Sequence, residues 1–236
     1  MNEERAMIKT IVQTLGAAML LAGAIAGQAA EPAAAPKVPP AATSSGVLNY
    51  GEYGRPTTLD PITNNDMIAL RITELVFNGL VGIDNKQQIA PELAESWDMS
   101  PDGLVYTFKL RKDVRWHARP GEEPRPFTAD DVVFTYRIMM HPKTITALKV
   151  RYEFIDEVKK LDSHSVRFTL KRPIMNALPK FTFKIIPEFG PTNSAYLARD
   201  DAFVQKPIGT GPYQYRETTA NGEIVLEANP HYFKGA

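Results

Sequence analysis

The sequence predicts a mixed α/β fold, and three observations point there. Alternation marks residues 104–110, 166–170 and 224–227 as strands. Helical spacing of apolar residues marks 66–80 and 128–140 as amphipathic helices. The chain holds 19 prolines, and most of those after residue 90 fall between these segments, which argues for short elements and many connections and against a helix bundle.

In chain order, 47–52 predicts a short strand, and Thr57-Thr58-Leu59-Asp60-Pro61 turns the chain. The helix over 66–80 places Ile68, Ile72, Leu75, Val76 and Leu80 on its buried face. Asn64, Asn65 or Asp66 suits its N-cap and Gly79 its end. The turn Asp102-Gly103 leads into the strand 104–110, with Leu104, Tyr106, Phe108 and Leu110 on one face. The second helix starts at Thr128 with a capping-box-like Asp131, and His141-Pro142 stops it. No repeat of solenoid length is present.

Composition removes several function classes. Lys and Arg number 27, as do Asp and Glu, and a zero net charge argues against a nucleic-acid partner. The absence of cysteine excludes a disulfide scaffold, a thiol nucleophile, a thiolate metal site, an iron–sulfur cluster and a lipid-anchored cysteine. Residues 11–27 are the longest apolar run; Arg5 and Lys9 precede it and small residues around Ala29 follow. This pattern predicts a signal peptide over 1–29, cleaved near Ala29, rather than a membrane anchor of about 20 apolar residues. Residues 30–46 read as a Pro/Ala-rich disordered linker, and the fold begins at 47. A free periplasmic protein is the expectation.

The sequence carries few residues in catalytic arrangement. His117, His141, His164 and His231 lack the spacing that puts ligands on one helical face, and they read as surface or turn residues. No nucleophile elbow of the Gly-x-Ser-x-Gly type occurs. Gly209-Thr210-Gly211-Pro212 lacks the ending of a phosphate loop, and Pro212 removes a donor, so it reads as a rigid backbone turn. Asp130 and Asp131 are accounted for by the positive end of a helix. Trp97, Trp116, Tyr106 and Phe108 read as core before they read as a sugar platform. An exported α/β chain with these properties is expected to bind rather than catalyse, with no cofactor.

Read in order, several segments carry a family likeness. They are Leu59-Asp60-Pro61, Ile89 to Trp97, Ser100 to Arg111 with Val114-Arg115-Trp116, Phe127 to Val132, Pro207 to Tyr213, and Asn229-Pro230-His231-Tyr232-Phe233. Together they resemble the extracellular solute-binding proteins of family 5, the dipeptide-, oligopeptide- and nickel-binding components of bacterial ABC importers. Physically, Ala90 to Ala94 with Trp97 reads as apolar anchors on a short turn of structure.

The resemblance implies the first lobe of a type II periplasmic binding protein fold, incomplete at its C-terminal side, because relatives run to about twice this length. It implies 62–200 as an α/β subdomain, with 47–61 and 201–236 belonging to the ligand-binding first lobe. It implies a monomer that closes on a peptide or other small solute and presents it to an inner-membrane permease complex. Tyr53, Gly54, Arg55, Pro56 and Thr57 match the segment whose main chain pairs with ligand in peptide-binding relatives, and Arg55 suits a ligand carboxylate. The acidic partner of the ligand's amino group falls in the part not matched here. Nickel or a metal chelate is the competing ligand within the family, and an exported hydrolase is the competing class. The loop from His117 to Pro126 is longer, more charged and richer in proline than the family's usual short turn.

Overall fold

Residues 48–119, 121–188 and 206–235 are described by a computed structural model. The signal peptide and linker expected over 1–46 lie outside the described residues. So does Val47, and 48–52 carry no regular structure where a strand is predicted. Alternation marks a face, but a strand also needs a neighbour to pair with, and among the described residues 48–52 has none.

The first helix, α1, spans Met67–Val76. Asp66 caps it, its carboxylate accepting from the Ala69 N–H at 2.7 Å. The helix stops one turn short of the predicted end because tertiary partners claim the next residues. Phe77 turns extended, the Asn78 carbonyl accepts from the Ile185 N–H at 3.0 Å, and the Gly79 carbonyl accepts from the Leu93 N–H at 3.2 Å. Leu75, expected in the core, is 42 % exposed.

A small antiparallel pair follows, β1 (Val81–Ile83) with β2 (Ile89–Pro91). The four-stranded antiparallel sheet contains β3 (Ala94–Met99), β4 (Val105–Leu110), β5 (Ile155–Asp162) and β6 (Ser165–Leu170), in the order β3-β4-β6-β5. The stretch from Ala90 to Trp97 therefore forms parts of two strands, not a short turn. β3 and β5 escaped prediction because they are edge strands, mostly exposed along both faces, and lack alternation. The central strands β4 and β6 are legible because one face of each is buried.

Helix α2 (Ala129–Met140) and the short α3 (Leu148–Tyr152) are inserted between β4 and β5. Asp131 of α2 is fully buried and accepts from four groups at once. They are the Trp116 indole N–H at 3.2 Å, the Thr128 N–H at 2.9 Å, the Glu188 N–H at 2.9 Å and the Arg125 guanidinium. One helical turn on, the Thr135 hydroxyl donates to the Asp131 carbonyl at 2.7 Å and accepts from the Ile186 N–H at 3.0 Å. The helix-start role expected for Asp131 is real but partial, since the residue also fixes three other segments. Asp130 is exposed to solvent and pairs with Lys160 at 2.6 Å.

The core is an aromatic cluster on the inner face of the sheet. Phe181, from a 3₁₀ turn over Leu178–Thr182, sits 5.4, 4.9 and 5.0 Å in ring centroid from Tyr106, Phe108 and Phe168. Phe108 and Phe168 meet edge-on at 5.6 Å. Such pairs add about 0.5–1.5 kcal/mol each beyond area burial. The chain closes with the hairpin β7 (Tyr213–Thr218) and β8 (Ile224–Ala228), which pairs only with itself among the described strands.

Phe181→Ala is expected to lower stability by about 3–5 kcal/mol through the cavity it leaves under β4 and β6. Chemical denaturation followed by tryptophan fluorescence checks this, and a loss under about 1 kcal/mol contradicts the central role given to that ring.

Candidate functional site

The segment Tyr53–Thr57 runs without regular structure between Glu52 and the entry to α1. Its C-terminal end is anchored: the Thr57 N–H and hydroxyl both donate to one Asp66 carboxylate oxygen, at 3.0 and 2.7 Å. Burial pushes the Asp66 carboxyl up, but donation from Ala69 and Thr57 outweighs it and holds the group below its ordinary range. The Arg55 guanidinium donates to the Asn221 carbonyl in the β7–β8 turn at 2.6 Å and packs on Gly222 so closely that a Cβ there would overlap it.

Tyr53, Gly54, Arg55 and Thr57 are exposed and Pro56 is half-buried. Among the described residues, no main-chain group from Tyr53 to Pro56 is hydrogen-bonded to another. The five residues are thus contiguous and accessible, held at one end by α1 and touched through Arg55 by the hairpin turn. Main-chain donors and acceptors left unpaired among the described residues can pair with an extended ligand. The exposed guanidinium, with one donor used, can take a carboxylate.

A second arrangement was not visible in the sequence. His117 is buried, not on the surface, and both ring nitrogens bind the Gly209-Thr210-Gly211 turn. Nδ1 accepts from the Gly209 N–H at 3.1 Å, which leaves the proton on Nε2 to donate to the Gly211 carbonyl at 3.0 Å. The His117 N–H also donates to the Gly209 carbonyl at 2.8 Å. On its other side the turn lies on the end of α1. The Gly211 N–H donates to the Val76 carbonyl at 2.9 Å, and a Cβ at Gly209 would overlap that same carbonyl. The Thr210 hydroxyl donates to the Asn78 side-chain oxygen at 3.1 Å, and the Asn229 amide donates to the Gly211 carbonyl at 3.0 Å. The rigid-turn reading of this motif holds. Its histidine partner lies 92 residues away, and no local pattern signals it.

Beside this clamp, a cavity of about 310 Å³ opens between the charged loop after His117 and the hairpin, lined by Trp116, Glu122, Glu123, Gln214 and His231 among others. No group of three or more His, Asp or Glu side chains among the described residues is arranged to hold a metal ion. No helix among the described residues is long and apolar enough to cross a membrane.

Desolvation lowers the His117 pKa to about 4 from an ordinary value near 6.5. The folded value is the depressed one, so the unfolded chain binds the extra proton first. The contribution is complete above about pH 6.5 and is lost as pH falls through about 4, in all about 3 kcal/mol. His117→Gln is expected to be less stable at neutral pH and flatter between these limits. Denaturation midpoints across that range check this, and parallel pH profiles for both proteins contradict it.

Residues 88–236 match the family described as bacterial extracellular solute-binding proteins, family 5 Middle. Di/tripeptide-binding protein 2 of Pseudomonas aeruginosa is 36 % identical over 167 residues, which cover 62 % of this chain and 30 % of that protein. The oligopeptide-binding protein AppA of Bacillus subtilis is 30 % identical over 236 residues, which cover 96 % of this chain and 42 % of the relative. Among solved structures, NikZ of Campylobacter jejuni in complex with Ni(L-His) superposes with a TM-score of 0.63 at 32 % identity, over 76 % of this chain and 35 % of that one. The chain thus spans between about a third and two fifths of the length of these relatives.

Proposed function

The chain belongs to family 5 of the bacterial extracellular solute-binding proteins, and from that premise we propose that it supplies the N-terminal part of the first lobe of a peptide-binding ABC-importer component. In this reading the protein is exported, its signal peptide is removed near Ala29, and it works as a monomer in the periplasm. Residues 47–61 and 201–236 build the ligand-binding lobe and 62–200 the α/β subdomain. The protein binds a short peptide without transforming it and hands it to an inner-membrane permease complex.

The observation that carries the reading is the open main chain of 53–56, which bears the exposed Arg55 and is followed by an anchored Thr57. A peptide in extended form satisfies those main-chain groups by strand addition, and its carboxylate suits the guanidinium. The names of the two curated relatives, one binding di- and tripeptides and the other oligopeptides, support the same ligand class. Nickel or a nickel chelate is the second reading, supported by the likeness to NikZ with its bound Ni(L-His).

Calorimetric titration with an alanine tripeptide and with nickel–histidine separates the two readings. The first reading expects heat from the tripeptide alone. A charge-assisted hydrogen bond is worth about 1.5–3 kcal/mol, so Arg55→Ala is expected to weaken tripeptide binding about 10- to 100-fold. The same change should leave a C-terminally amidated tripeptide nearly unaffected. Equal losses for both peptides contradict the role given to Arg55, and turnover of either peptide contradicts a binding function.

A further inference from the structure

The sequence contains two Asn-Gly dipeptides, Asn78-Gly79 and Asn221-Gly222, and the fold treats them oppositely. Asn78 is 3 % exposed. Its side-chain oxygen accepts from the Thr210 hydroxyl at 3.1 Å, and the Gly79 N–H donates to a Glu92 carboxylate oxygen at 3.0 Å. Both groups that would have to meet are engaged with other partners. Asn221 is exposed at the tip of the β7–β8 hairpin, and its side-chain amide has no partner among the described residues.

The tip is a three-residue loop, Ala220-Asn221-Gly222, closed by a Thr219 N–H to Glu223 carbonyl bond at 2.8 Å. Gly222 takes φ +81°, the left-handed residue that such a loop requires, and its N–H donates to the Thr219 carbonyl at 2.8 Å. That bond is the only lock on the glycine nitrogen among the described residues. It sits in a solvent-exposed two-stranded ribbon, the kind of element that opens locally at small cost. The Arg55 cation packed on Gly222 also favours the deprotonated amide nitrogen over the neutral one.

We propose that Asn221-Gly222 is a site of spontaneous deamidation, whereas Asn78-Gly79 is protected by the fold. The Gly222 nitrogen attacks the Asn221 Cγ, and a five-membered imide closes. The Cγ–Nδ2 bond breaks and ammonia leaves, carrying the proton lost from the Gly222 nitrogen. Water then opens the ring. Cleavage at Cγ gives aspartate in the normal chain, and cleavage at the main-chain carbonyl gives isoaspartate with one extra backbone carbon in the loop. Either product places a new carboxylate next to Arg55, whose guanidinium already contacts the Asn221 main chain.

The test is timed incubation of the whole chain at about pH 8 and about pH 6, followed by tryptic digestion and fragment-ion mass spectrometry. A gain of about 1 Da located at Asn221 in the peptide 217–234 is expected, faster at the higher pH. If Asn78 reacts only through global opening, with a free energy of several kcal/mol, its rate should be at least about 100-fold lower. Incubation in denaturant should bring the two rates together, and Gly222→Ala should slow the reaction at 221. An unchanged mass at Asn221, or equal rates at the two sites in the folded protein, overturns the proposal.

Discussion

The carbonyl of Val76 is where the described fold is tied together. It ends α1, accepts from the Gly211 N–H, and lies so close to Gly209 that no side chain fits there. Glycine at 209 is demanded by contact, whatever its conformational freedom. His117 closes the arrangement from the other side, with its ring spanning the same turn. The turn therefore donates to the end of a helix, exchanges hydrogen bonds with His117 and accepts one from Asn229. Segments far apart in sequence converge on three residues, and the hairpin that contacts Arg55 starts directly after them.

Asp131 plays the corresponding part at the α2 side of the sheet. A carboxylate fully removed from water is tolerated only when charge and hydrogen bonds compensate it. The Arg125 guanidinium supplies the charge, and the indole of Trp116 with two main-chain N–H groups supplies the rest. Removing any one donor leaves the carboxylate less well compensated, so the site fixes the relative placement of Trp116, the α2 start and the segment at Glu188. Trp116 and His117 are adjacent, one bound to Asp131 and the other to the glycine turn. These two polar centres are thus coupled through one peptide unit.

The aromatic core supplies the non-directional part of the stability. The rings of Tyr106, Phe108, Phe168 and Phe181 meet tilted or edge-on under the central strands. The polar centres specify geometry, and the rings supply apolar burial of about 1.5–3 kcal/mol each. The segment 53–57 stands outside both. Among the described residues it is held by hydrogen bonds of Thr57 to Asp66 and by the contacts of Arg55 with Asn221 and Gly222.

The amino-acid sequence by itself determined the central elements. β4, β6 and α2 were legible because each carries its burial pattern locally, as alternation or as a capped amphipathic face. The motif series also sufficed to place the chain in its family. Edge strands β3 and β5 were not legible, because a strand exposed on both faces leaves no period in the sequence. Tertiary structure alone decided the early end of α1, the burial of His117 and the placing of Arg55 against Gly222. In each case the partner lies at least 92 residues away or the competing hydrogen bond comes from another element. A local pattern records which face is apolar; it does not record which distant backbone group a side chain will meet.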